Sequence, residues 1–141
     1  MSLLELLSDE KEHHRKGGLY HQTQILFAYN SNRIEGSQLS REQTRFIYET
    51  NSFLPDGNEV IETLNHFRAF DYMLDIAKEP LSEPIIKEIH RLLKRGTSDE
   101  QKPYFCVGDY KALPNMIGET VYTAAPREVP LKMQELLREY Q

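Results

Sequence analysis

The twelve residues YNSNRIEGSQLS, Tyr29 to Ser40, contain a helix end, a turn and a helix start. The apolar spacing of Tyr20, Ile25, Leu26 and Tyr29 predicts a helix over Leu19 to Ile34. Gly36 then stops it, because glycine adopts the left-handed backbone that closes a helix at little cost. Ser40 with Gln43 three residues later predicts a capping box and the start of the next helix. One residue does not follow from these rules. Glu35 sits at the C-terminal end of the first helix, where the macrodipole is negative and cations are favoured. Ser31 lies one turn before it.

Working outward, residues 3 to 15 read as a short helix with Leu3, Leu4, Leu6 and Leu7 on its apolar side, ended by Gly17-Gly18. Phe46, Ile47 and Tyr48 are expected to face inward from the helix that opens at Ser40. LPDGN, Leu54 to Asn58, signals a turn. The longest helix is expected from Glu59 to Lys78, with Val60, Ile61, Leu64, Phe67, Phe70, Leu74 and Ala77 as its stripe. Ser82 then caps another helix, with Pro84 in its first turn and Gly96 at its end. Its core-facing residues are expected to be Ile85, Ile86, Ile89, Leu92 and Leu93. Residues 97 to 125 are rich in Pro, Gly and Asn, and predict a long loop with a small β-hairpin over Asn115–Thr123, turning at Gly118-Glu119. Pro126 begins a final helix with Val129, Met133, Leu136, Leu137 and Tyr140 on one side. The expected fold is mainly α, a helical bundle with a small hairpin, in one domain spanning 1–141. Within it, 1–36 supply the N-terminal helices, 37–96 the core helices, 97–125 the loop and hairpin, and 126–141 the last helix.

Bulk properties narrow the function. With 141 residues the chain can bury one core. Its net charge of -5 argues against a domain held by nucleic-acid phosphates, including a helix-turn-helix reader built on Ser40–Asn51. The opening MSLLELLSDEKEHH is too acidic for a signal peptide, and no run approaches a membrane span. The single cysteine, Cys106, allows no internal disulfide and fits a reducing, cytoplasmic setting. The residues leave a homo-oligomer open.

Candidate chemistry is sparse. His13, His14, His21, His66 and His90 show no metal-ligand spacing, so no metal site is expected. Cys106 lacks neighbours that would lower its pKa and reads as a packing residue. Asp56-Gly57-Asn58 could form an anion-binding nest, but Glu59 follows at once and would repel a phosphate, so a turn with a cap explains it. A hairpin with a free edge can pair with an extended peptide by strand addition.

Ser31-x-x-x-Glu35-Gly36 resembles the inhibitory motif of Fic-domain proteins. The blocks after it, VIETLNHFRAFDYML, IIKEIHRLLKRG, VGDYKALPNMIG and APREVPLKMQELLREY, resemble the Fic fold in the same order over essentially all 141 residues. The motif's position before the core resembles the class whose inhibitory helix is N-terminal. The resemblance implies a protein AMP-transferase that adenylylates target-protein hydroxyls with ATP and Mg²⁺. It also implies that Glu35 would pair with an arginine of the catalytic signature and exclude the γ-phosphate, with Ser31 helping to hold the helix. Asn115, Met116, Ile117, Gly118, Glu119, Thr120, Val121, Tyr122 and Thr123 would form the flap that docks the target protein. Lys111 stands where the family often has an arginine, without a role assigned. The family's signature, His-x-Phe-x-Asp/Glu-Gly-Asn, is absent. No catalytic residue and no cofactor are therefore expected in this chain, which reads as an N-terminal part of a Fic domain, inactive alone. The other reading is a non-enzymatic helical module that inhibits a separate Fic partner.

Overall fold

The computed structural model describes residues 1–51 and 57–141. The Leu54–Asp56 part of the expected turn lies outside the described residues. The architecture is mainly helical with one small antiparallel hairpin, as the sequence predicts. Packing divides the chain into two compact units, Met1–Lys78 and Glu79–Gln141.

Among the described residues the first unit holds four helices: α1 (Leu3–Glu12), α2 (Leu19–Ile34), α3 (Arg41–Thr50) and α4 (Asn58–Asp75). Helix α2 packs against each of the other three. Around it Ala28, Ile47, Val60, Leu64 and Phe67 form one buried cluster, and Leu7, Tyr20 and Phe70 a second. Both α1 and α3 begin with a complete capping box, Ser2 with Glu5 and Ser40 with Gln43. Each satisfies two backbone N–H groups that the helix itself leaves open.

Some boundaries and faces differ from expectation. Helix α1 stops at Glu12 rather than residue 15, because His13 caps it and His14 turns left-handed at φ 50°. Helix α4 ends at Asp75, three residues short of Lys78. The inner face of α3 is Thr44, Ile47 and, in part, Tyr48, so Phe46 points outward and is 42% exposed. A residue directly before the one at the centre of a helix face is rotated about 100° away from it. Helix α4 buries Val60, Leu64, Phe67 and Phe70 as expected, but also Thr63, Asn65 and His66. Three helices surround it, so its inward face is wider than an apolar stripe. Ala77 is exposed, beyond the helix end.

Gly18 starts α2 without a side-chain cap of its own. Instead Glu10, buried on α1, accepts the Tyr20 N–H at 2.8 Å. A carboxylate from one helix thus closes the N-terminus of the next, where the dipole favours an anion. Tyr20 also donates its hydroxyl to Asp71 Oδ1. Gln24, one turn on, donates from Nε2 to the same oxygen at 2.9 Å, to the Tyr20 hydroxyl at 3.1 Å and to the Phe67 carbonyl at 3.2 Å.

The second unit contains α5 (Glu83–Lys94), a short 3₁₀ turn at Ser98–Gln101, the hairpin strands β1 (Met116–Ile117) and β2 (Val121–Tyr122), a 3₁₀ turn at Pro126–Glu128, and α6 (Val129–Tyr140). Of the residues expected inside α5, Ile85 is buried and Ile86, Ile89, Leu92 and Leu93 are half-buried. The Gly108 N–H donates to His90 Nδ1 at 3.0 Å, and the Tyr110 hydroxyl to Glu83 at 2.6 Å. Lys87 lies 4.4 Å from the Tyr110 ring centre and 2.9 Å from Asp109. These contacts tie the loop before the hairpin to α5. The expected stripe of α6 divides: Val129, Met133 and Leu137 are half-buried, whereas Leu136 and Tyr140 are 56% and 72% exposed.

Candidate functional site

The end of α2 is built by backbone alone. The Gly36 N–H bonds to the Arg33 carbonyl at 3.1 Å, and the Ser37 N–H reaches back to Asn32 at 2.9 Å. This pair of bonds is the Schellman closure, and it requires a left-handed residue, which Gly36 supplies at φ +95°. Glu35 occupies the cap position, its N–H directed at the Ser31 carbonyl at 3.4 Å. Its side chain is therefore not needed for the helix end and projects into solvent. Ser31 is half-buried one turn back. Two further contacts anchor this end to α4. Asn32 Nδ2 donates to the Thr63 hydroxyl at 3.3 Å, and the Gln38 N–H donates to Glu59 Oε1 at 2.7 Å. Ser31, Glu35 and Gly36 are thus brought to one helix terminus, with the carboxylate free to meet a cation.

The hairpin in the second unit pairs Met116 with Tyr122 and Ile117 with Val121. The turn is Gly118, Glu119 and Thr120, with Gly118-Glu119 within it as expected. Gly118 takes φ +61°, in open space. Among the described residues no further strand covers either outer edge. Ile117, Val121 and Tyr122 are 67%, 53% and 83% exposed. Such an edge has backbone groups and apolar side chains ready for an extended peptide.

Lys111 closes the hairpin's base. Its ammonium donates to Asn115 Oδ1 at 2.7 Å and to the Thr123 hydroxyl at 2.6 Å, and Thr123 in turn bonds to Asn115. Sequence reading gave Lys111 no role; the only available signal was the Lys-x-x-x-Asn spacing ahead of a β-forming run. Gly118→Ala is expected to destabilise the hairpin by about 1 kcal/mol, because a Cβ in the left-handed region is strained even with space around it. Gly118→Asn should cost less. Cross-strand proton contacts between Met116 and Tyr122, followed by NMR, report the difference.

The buried network of Tyr20, Gln24 and Asp71 was also missed. Its signal was Asp71 itself, a charge placed one turn after Phe67 on the apolar side of α4. Burial and the Asp71 carboxylate push the Tyr20 hydroxyl far above its ordinary range, so it stays protonated as a donor. Burial lowers the pKa of His66, which packs edge-on at 4.7 Å from Phe27. Cys106 is half-buried, with Sγ 4.0 Å from the Tyr104 carbonyl. Among the described residues no group of three or more His, Cys, Asp or Glu side chains stands where it could hold a metal ion, and no helix is long and apolar enough to cross a membrane.

No protein-family model matches the chain, and no curated protein matches it. Among solved structures it is similar to a Fic-domain-containing signalling protein from Bacteroides thetaiotaomicron, at 25% sequence identity and a TM-score of 0.72. The match covers 99% of this chain and 56% of that one, so the chain spans little more than half the length of that protein. The helical fold with its small hairpin matches the Fic type.

Proposed function

We propose that the chain is the regulatory and target-docking part of a Fic-type protein AMP-transferase, autoinhibited through Glu35. The observation that carries this reading is the exposed Glu35 carboxylate on a backbone-closed helix end, in a chain whose fold matches a Fic-domain protein. An acid that stabilises nothing in its own helix is available to pair with an arginine outside these residues. The exposed hairpin supports the second half of the reading, docking of an extended target segment by strand addition.

The chain's own residues do not fit a magnesium–triphosphate group. The signature that would cradle the phosphates is absent from the 141 residues. ATP, Mg²⁺ and the catalytic histidine belong, on this reading, to residues outside this sequence. Two experiments test it. Incubating this chain alone with labelled ATP and cell extract should label nothing above a no-enzyme control; a robust label would overturn the requirement for the signature. Reading the gene beyond Gln141 should reveal His-x-Phe-x-Asp/Glu-Gly-Asn. A stop codon there would overturn the transferase reading in favour of a non-enzymatic module.

A further inference from the structure

A cleft of about 830 Å³ lies within the first unit, far along α2 from Glu35. Tyr20 and Glu35 are separated by fifteen residues, roughly 22 Å of helix at 1.5 Å per residue. Its lining comes from all four helices and the α1–α2 connection, and it includes Arg15, Lys16, His21, Tyr48, Glu49 and Asp71. The volume is within the usual range for small-molecule sites, roughly 300–1,000 Å³.

The charges in it are only partly neutralised. Lys11 pairs with Asp75 at 2.7 Å, which settles those two. Glu49 has only His21, whose Nε2 lies 3.3 Å away. The other ring nitrogen of that histidine, Nδ1, receives the Gly17 N–H at 2.7 Å. Asp71 receives two neutral donors, the Tyr20 hydroxyl and the Gln24 amide, on one oxygen. Among the described residues no Lys or Arg nitrogen lies within 4 Å of Asp71 or Glu49, and no carboxylate lies within 4 Å of the Arg15 or Lys16 side-chain nitrogens. Asp71 and Glu49 therefore face the cleft from α4 and α3 without a Lys or Arg partner, as Glu12 does from the end of α1, and Arg15 and Lys16 stand exposed on the α1–α2 connection.

The network beneath is also incompletely satisfied. Gln24 is fully buried, its NH₂ is shared among three acceptors, and its Oε1 has no partner among the described residues. Flipping the amide would aim that oxygen at the Phe67 carbonyl and the Asp71 carboxylate, so the orientation is fixed. Burying polar groups this way costs stability that an apolar core would keep. Binding sites commonly carry such a cost.

We propose that this cleft binds a small amphoteric compound, of the class of a basic amino acid or dipeptide. Its ammonium or guanidinium group pairs with Asp71 and Glu49, and its carboxylate with Arg15 and Lys16. The proposal is independent of the transferase reading, because it uses none of Ser31, Glu35 or the hairpin.

Calorimetric titration of the full chain tests it, with L-arginine and the dipeptide Arg-Glu as probes, spermidine as a cation without an acid, and citrate as an acid without a cation. The expected order is Arg-Glu tightest, then L-arginine, with spermidine and citrate at least tenfold weaker than Arg-Glu. Asp71→Asn is expected to weaken Arg-Glu binding at least tenfold. Because Asp71 also serves the buried network, Glu49→Gln and Arg15→Ala, both at exposed positions, are the companion variants; each should weaken binding at least threefold. Equal or tighter binding of spermidine or citrate, no heat from any probe at millimolar concentration, or affinity unchanged in Glu49→Gln and Arg15→Ala would each overturn the proposal.

Discussion

Gly18→Ala is expected to destabilise the protein by about 1–2 kcal/mol, more than a surface glycine at an ordinary backbone angle would cost. The backbone is not the obstacle, since Gly18 has φ -77°, which alanine adopts freely. The obstacle is Glu10. A Cβ at position 18 would stand 2.6 Å from its Oε2 and 2.8 Å from its carboxyl carbon. The carboxylate would have to swing away, losing the Tyr20 N–H that it holds at 2.8 Å. That leaves a buried acid without its donor and a helix without its cap, both named routes to large losses. Glu10→Ala alone should cost about 1–2 kcal/mol, the worth of a helix cap. In the double variant the new methyl group enters space that the carboxylate has vacated, so Gly18→Ala should then add almost nothing. The expected coupling is at least 1 kcal/mol, well above what separate sites show. Urea unfolding of the four proteins measures it, and strictly additive losses would show that the two positions do not interact.

On the proposed transferase reading, Glu35→Gly in a protein that also carries the catalytic signature is expected to raise AMP transfer at least tenfold, about 1.4 kcal/mol if the carboxylate merely competes with a phosphate for one arginine. The helix end should not change, because its closing bonds join the backbone of Gly36 to Arg33 and of Ser37 to Asn32. A circular dichroism melt of this chain carrying Glu35→Gly should therefore stay within about 0.5 kcal/mol of the parent, as for an exposed position outside any contact. Glu35→Gln separates charge from bulk. It keeps the side-chain volume and removes the anion, so activation comparable to that of Glu35→Gly identifies the ion pair as the inhibitory element. An unchanged transfer rate in both variants would remove the inhibitory role from Glu35.

What the sequence made legible was local. The capping box at Ser40 and Gln43, the stop at Gly36 and the hairpin near Gly118 each depend on a few adjacent residues and on backbone angles that particular residue types favour. Periodicity also located the inward face of α4 and part of that of α2, where Tyr20 and Ile25 are buried but Leu26 is 37% exposed, and it mislaid Phe46 because three apolar residues in a row cannot all share one helix face. What stayed hidden depends on partners distant in sequence. Gly17-Gly18 read as a stop for α1, whereas Gly18 is small so that Glu10 can approach. Asp71 lies on the apolar side of α4, but its partner Tyr20 is 51 positions away and nothing local joins the two. The motif around Glu35 was visible as residue types, while its availability follows from a helix end that needs no side chain.

The cap that α1 provides to α2 bears on the order in which the chain folds. Glu10 and Tyr20 are only ten positions apart, and a loop of that length closes in roughly 10–100 ns. The bonds that join Gln24 to Phe67 and Tyr20 to Asp71 span 43 and 51 positions and must wait for α4. During synthesis on the ribosome, then, the first helical pair can register itself before α3 and α4 have emerged. The helix that carries Glu35 would enter the folding reaction already anchored at its far end, a template on which the two later helices assemble.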